Sequence, residues 1–184
     1  MRIISGIHKG RRISPPANMP YTRPTTDIAK EGLFNVLQNN LDFEELKTLD
    51  LFGGTGSISF ELASRGATDL TIIEKDMAMH TFIKKTAAAL HFDNFRIIKS
   101  DVFKFIESTK EQFDFIFAGP PYALGTIDDL PRMVFKFNLL KPGGVFVLEH
   151  TPRNDYKTFD FYRSERNYGT TIFSFFMMPD KNDA

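Results

Sequence analysis

Two short segments hold residue types suited to chemistry on a nucleoside-like ligand. The first, Asp50-Leu51-Phe52-Gly53-Gly54-Thr55-Gly56, puts an acid and three glycines into one turn, and glycine lets backbone approach a ligand closely. Glu74 follows, at roughly the twenty-residue spacing from which a carboxylate accepts hydrogen bonds from two ribose hydroxyls. Asp101 is a further acid at a strand end. A dinucleotide fingerprint would continue Gly54-x-Gly56-x-x-Gly, but its last place holds Ser59, so the glycine needed for close helix packing is missing and a nicotinamide dinucleotide is disfavoured. A carboxylate for ribose, a polar strand end for an adenine amine and Asp50 for a cationic amino-acid portion together describe an adenosine ligand without a pyrophosphate, namely S-adenosylmethionine. For Asp101, which precedes a helical stretch, capping that helix is the alternative.

The second segment, Phe113-Asp114-Phe115-Ile116-Phe117-Ala118-Gly119-Pro120-Pro121-Tyr122, runs from an apolar strand into a double-proline turn carrying an aromatic ring. Prolines donate no N–H and leave carbonyl oxygens as acceptors in a stiff loop, and Tyr122 is able to stack on a flat base. An exocyclic base amine is a weak nucleophile because its lone pair is delocalised into the ring. Acceptors that hold its N–H groups let the nitrogen pyramidalise as a methyl group arrives, so positioning and fixed dipoles carry the catalysis. The chain has no cysteine, which removes disulfides, thiolate metal sites and the cysteine nucleophile that C5 methylation of pyrimidines uses.

These segments need a scaffold that brings strand ends together. Apolar runs at 48–52, 70–74, 95–100, 113–118 and 144–150 alternate with helical stretches at 56–64, 77–90, 102–109 and 127–137. Strands joined by helical crossovers predict a Rossmann-like α/β fold with a mostly parallel seven-stranded sheet flanked by helices. The runs 159–166 and 170–178, around the turn Asn167-Tyr168-Gly169, predict an antiparallel hairpin at the sheet edge. Ahead of the sheet, 26–39 reads as a helix with Ala29, Leu33, Val36 and Leu37 on one face, and segments 2–4 and 11–13 around Gly6 and Gly10 as a small basic hairpin.

At 184 residues, with 42% hydrophobic and 25% charged positions, the chain fits a single globular domain. No apolar run approaches a membrane span and the basic N-terminus lacks the apolar core of a signal peptide, so a cytoplasmic protein is expected. Net charge is zero, yet residues 1–30 hold six basic residues, Arg2, Lys9, Arg11, Arg12, Arg23 and Lys30, against the single acid Asp27. A basic arm over residues 1–23 on a mildly acidic body suggests that one end meets a polyanion.

The chain resembles the RsmD-type 16S ribosomal RNA guanine-N2 methyltransferases, relatives of the amino-group DNA methyltransferases. The resemblance rests on Met1 to Gly6, Lys9-Gly10-Arg11-Arg12, Arg23-Pro24-Thr25-Thr26-Asp27 with Leu33-Phe34-Asn35, the glycine segment, Ser64-Arg65-Gly66-Ala67, and Phe117 to Tyr122. It implies methyl transfer from S-adenosylmethionine to N2 of a guanine, position 966, in the small ribosomal subunit or its assembly intermediate, by a monomer that uses no metal. Asp50, Gly54 and Gly56 would line the cofactor's methionine side, Glu74 its ribose and Asp101 its adenine, with Phe52, Lys75 and Val102 beside them. Gly119, Pro120, Pro121 and Tyr122 would face the guanine, Arg2, Lys9, Arg11, Arg12 and Arg23 the RNA, and the segment from Arg23 to Asp27 would close over the site. The family carries Asp or Asn immediately before Pro-Pro-Tyr, where this chain has Gly119. Losing one fixed hydrogen-bonding group costs about a hundred- to thousandfold in rate, so either a nearby acid compensates, or a substitution entered this particular chain, or the chain is a slow or impaired S-adenosylmethionine- and RNA-binding relative. A DNA amino-methyltransferase is the other alternative, though such enzymes usually add a region that reads base edges.

Overall fold

Strands that are apolar at nearly every position need cover on both faces, and the fold supplies it. In the computed structural model, which describes residues 1–17 and 25–180, the strands are β1 (Lys47–Asp50), β2 (Asp69–Glu74), β3 (Phe95–Lys99), β4 (Phe113–Ala118), β5 (Leu140–His150), β6 (Tyr162–Tyr168) and β7 (Thr171–Met177). The helices are α1 (Asp27–Gln38), α2 (Ser57–Ser64), α3 (Met77–Ala89), α4 (Val102–Ser108) and α5 (Asp129–Lys136). The sheet runs β3-β2-β1-β4-β5-β7-β6, parallel from β3 to β5 and antiparallel at β7 and β6. The chain moves outward from β1 to β3 and then returns across β1 to β4. The order therefore reverses at β1 and β4, whose C-terminal ends flank the crevice where open α/β sheets bind ligands.

Alternating side chains divide the core in two. Leu70, Ile72, Phe115 and Phe117 pack with Leu33 of α1, Phe60 of α2 and Ile83 of α3. On the other face Leu49, Ile73, Ile116 and Phe146 pack with Ile106 of α4 and Val134 of α5. Among the described residues, no helix is long and apolar enough to cross a membrane.

Local chemistry sets the boundaries that differ from the sequence reading. Gly56 adopts φ +76 and ends the turn, so α2 starts one residue later than expected; a side chain in that conformation is strained. The edge hairpin turns at Gly169 and Thr170 rather than one to two residues earlier, because Gly169 has φ +69 and Tyr168 already pairs with Thr171. β5 starts at Leu140 instead of 144, taking in Lys141 and Pro142 through a register shift against β4; a proline tolerates a strand at such an irregularity. α5 is shorter at both ends than 127–137.

The N-terminal segment forms the expected small hairpin, reduced to one antiparallel bridge between Arg2 and Arg12. It is docked on the body: Ile3 and Ile13 are buried, and a Cβ on Gly6 would lie 1.7 Å from the Ser64 carbonyl oxygen. Glu61 of α2 accepts the N–H groups of Ile4 and Ser5 at 2.8 and 3.0 Å. Lys30, counted above with the arm's charges, is instead an interior residue. It is 1% exposed, lies 3.8 Å from Glu61 and donates to the Arg2 carbonyl at 2.5 Å and the Ser57 hydroxyl at 3.1 Å. On α1 the buried residues are Ala29, Lys30, Leu33, Phe34 and Leu37, whereas Val36, expected on that face, is only partly buried. Arg2 is 3.5 Å from Asp27, whereas Lys9, Arg11 and Arg12 are exposed.

Candidate active site

Because β1, β2 and β4 are parallel and in register, their last residues meet at one edge of the sheet, around a cavity of about 1180 Å3. Asp50, the last residue of β1, is 3% exposed. Its carboxylate accepts the Ser59 hydroxyl at 2.8 Å and the Phe52 N–H at 3.3 Å. Burial pushes this carboxyl up to about 7, against the two hydrogen bonds, and the charges of Glu74 and Glu149 push the same way. Ser59 thus occupies the place of a fingerprint glycine for a positive reason: its hydroxyl fixes Asp50.

Glu74 closes β2, and its Oε2 accepts the Gly54 N–H at 2.7 Å while Oε1 accepts the Asp76 N–H at 2.7 Å. Burial again raises the carboxyl above its ordinary range, opposed by those N–H groups. Asp76 in turn caps α3 by accepting from Met79. Asp101, beyond β3, is the N-cap that the sequence offered as the alternative. Its Oδ1 caps α4 by accepting from the N–H groups of Phe103 and Lys104 at 3.1 and 3.3 Å, while its Oδ2 meets the exposed Lys75 ammonium at 3.4 Å. The residue still borders the cavity, as do Phe52, Lys75 and Val102.

At the end of β4, Gly119, Pro120, Pro121 and Tyr122 form the opposite wall. One expectation needs correction here: the Pro121 carbonyl is engaged within the turn by the Leu124 N–H at 2.9 Å, so the proline corner presents fewer backbone acceptors than its sequence suggests. Gly56, between the cavity-lining Thr55 and Ser57, bends the chain into α2.

The sequence reading missed Glu149. Ala118 pairs with Leu148, so Glu149 follows one place along β5 beside Gly119. It is 3% exposed, lines the cavity, and accepts the Thr25 hydroxyl at 2.6 Å and the Tyr122 hydroxyl at 2.9 Å. An acid closing an apolar strand was the signal that exposed Glu74, and the same signal at 149 points to this site. Thr25 brings the described part of the segment from Arg23 to Asp27 onto the cavity; Arg23 and Pro24 lie outside the described residues. None of Arg2, Lys9, Arg11 and Arg12 lines the cavity. They lie on the docked hairpin, connected to the cavity wall through Lys30 and Ser57.

Comparison with known proteins agrees with this geometry. The family described as conserved hypothetical protein 95 matches residues 1–177. The chain is 33% identical over 144 residues to the ribosomal RNA small subunit methyltransferase D of Escherichia coli K12, covering 78% of this chain and 68% of that one. The solved structure of Escherichia coli yhhF superposes with a TM-score of 0.85 at 25% identity, covering 98% of this chain and 99% of that one. The 16S rRNA N2 G1207 methyltransferase of T. thermophilus, solved in complex with AdoMet and guanosine, superposes with a TM-score of 0.66 at 26% identity, covering 84% of this chain and 44% of that one. With a match of this extent, the chain belongs to the conserved hypothetical protein 95 family, that of the ribosomal RNA small subunit methyltransferases D, and is a methyltransferase with the Rossmann-like fold of the S-adenosylmethionine-dependent enzymes.

Proposed function

We propose that the protein transfers the methyl group of S-adenosylmethionine to the exocyclic N2 of a guanine in 16S ribosomal RNA, the position-966 guanine of the small subunit or its assembly intermediate. One observation carries this reading: a single cavity joins the acid-rimmed glycine turn to the proline corner with its aromatic ring. S-adenosylmethionine supplies an electrophilic methyl carbon on a positively charged sulfur.

The cavity's residues fit that cofactor. Asp50 is a buried acid able to pair with the ammonium of the methionine portion, Gly54 leaves backbone room beside it, and Glu74 holds two acceptor oxygens for the ribose hydroxyls. Asp101 and Val102 border the adenine end, with Lys75 at the rim. On the far wall Tyr122 offers a ring for stacking, and its hydroxyl, held by Glu149, fixes the tilt of that ring. Arg2, Lys9, Arg11 and Arg12 serve as phosphate contacts that position the RNA without reading its sequence. Arg23 belongs to the same set.

Relatives named for the small-subunit ribosomal RNA, and one solved with AdoMet and guanosine, favour an RNA guanine over a DNA base. Transfer of labelled methyl to small-subunit particles that lack the modification, but not to duplex DNA, is the expected result. Methylation of duplex DNA in preference to the particles, or none of either by protein that binds S-adenosylhomocysteine, rejects the assignment.

A further inference from the structure

We propose that Glu149 is the catalytic acceptor for the target amine, taking the place of the acid that Gly119 does not provide. The inference rests on the reading that a guanine amine is the substrate. Gly119 and Glu149 follow the paired residues Ala118 and Leu148 on adjacent parallel strands. A Cβ placed on Gly119 would lie 3.6 Å from Glu149 Oε2, in ordinary contact, and 3.0 Å from the Phe117 ring edge, so the Glu149 carboxylate lies directly beside the place from which a side chain at 119 would start.

Glu149 is built to serve as an acceptor. It sits on a central strand at 3% exposure, with one oxygen on the Thr25 hydroxyl and the other on the Tyr122 hydroxyl. Tyr122 Oη is itself 3.2 Å from Thr171 Oγ1, so the carboxylate is oriented before any substrate arrives. A carboxylate has about four acceptor directions and binds N–H groups more strongly than a neutral carbonyl does. Asp50 and Glu149 line the same cavity. The Pro121 carbonyl, by contrast, is taken by Leu124.

The step balances with Glu149 as the base. Its carboxylate accepts one N–H of the amine, and the nitrogen lone pair forms a bond to the methyl carbon as the carbon–sulfur bond breaks with its electron pair remaining on sulfur. The positive charge then on nitrogen is discharged by loss of one proton to Glu149, which passes it to solvent. The base keeps one N–H and gains the methyl group.

Guanosine and inosine differ by the N2 amine alone, which makes them the probe. In protein saturated with S-adenosylhomocysteine, we expect the wild type to bind guanosine about ten- to a hundredfold more tightly than inosine, and Glu149→Ala to bind the two alike. S-adenosylhomocysteine affinity should stay within about threefold of the wild type. Methyl transfer should fall about a hundred- to thousandfold in Glu149→Ala, less in Glu149→Gln, which keeps an acceptor oxygen but cannot take a proton. Adding Gly119→Asp to Glu149→Ala should restore at least about tenfold of the lost rate, whereas a residue that merely props up Thr25 and Tyr122 is not rescued from position 119. Undiminished preference for guanosine in a folded Glu149→Ala or Glu149→Gln variant, or failure of Gly119→Asp to restore any rate, overturns the assignment of Glu149 alone. Absence of the preference in the wild type overturns both this assignment and the guanine reading beneath it.

Discussion

The Glu74 carboxylate accepts the Gly54 N–H at 2.7 Å, tying the end of the second strand to the glycine turn after the first. Glu74 also lines the cavity, so on the proposed function it would both shape the turn and hold the ribose. Removing it in Glu74→Ala should weaken S-adenosylhomocysteine binding about tenfold or more, since a hydrogen bond to a charged group contributes about 1.5–3 kcal/mol. Lys75→Ala, which removes only an exposed pair with Asp101, should change it less than about threefold. Titration calorimetry separates the two.

Asp50, if it pairs with the cofactor's ammonium as proposed, should make cofactor binding depend on pH. Burial holds its carboxyl near 7 in the ligand-free protein, so below that value a proton must leave before the acid pairs with the ligand's ammonium. Affinity for S-adenosylhomocysteine should therefore rise as pH goes from about 6 to about 8, approaching tenfold per unit on the acid side. Asp50→Asn should flatten that profile. The fold responds with the opposite sign: a buried acid raised above its unfolded range disfavours the native state as pH climbs from the unfolded value through 7.

The Lys30–Glu61 pair locks the N-terminal hairpin to α1 and α2. Burial lowers the Lys30 ammonium, and Glu61 opposes that shift. Glu61→Ala leaves the ammonium buried without its partner and strips the acceptor from Ile4, Ser5 and Arg65. Loss of about 3–5 kcal/mol is expected, read as a drop of roughly 10 °C in melting temperature. A change below about 1 kcal/mol in chemical denaturation contradicts the lock.

Lys9, Arg11 and Arg12 are exposed on that docked hairpin. Replacing all three by Ala should weaken binding to small-subunit RNA and reduce the slope of log affinity against log salt by about two, at roughly 0.7–0.9 per phosphate contact. S-adenosylhomocysteine binding should not change, because none of the three lines the cavity.

What the sequence disclosed depended on whether the signal was local. Asp50, Glu74 and the proline corner lie where an apolar strand run stops, and the strand ends meet because parallel pairing puts them at one edge. Glu149 carried the same signal but lies on a fifth strand whose neighbour is fixed by a long-range pairing, so its place beside Gly119 appears only in three dimensions. Lys30 looked like one more arm charge because its partner, Glu61, is 31 residues away on another helix. The hairpin turn was misplaced because Asn167 and Gly169 are both turn formers, and only the register of Tyr168 with Thr171 decides between them.

On the proposed function, one cavity would hold the cofactor's ribose on Glu74 and its reactive end against Gly119, Pro120 and Glu149. A crystal structure of the protein with S-adenosylhomocysteine and guanosine tests it most directly. The ribose hydroxyls should lie on Glu74, the ammonium beside Asp50, and the guanine N2 between the sulfur and the Glu149 carboxylate. Ligand density away from Glu74 and Gly54, or a guanine whose N2 points away from β4 and β5, would contradict it.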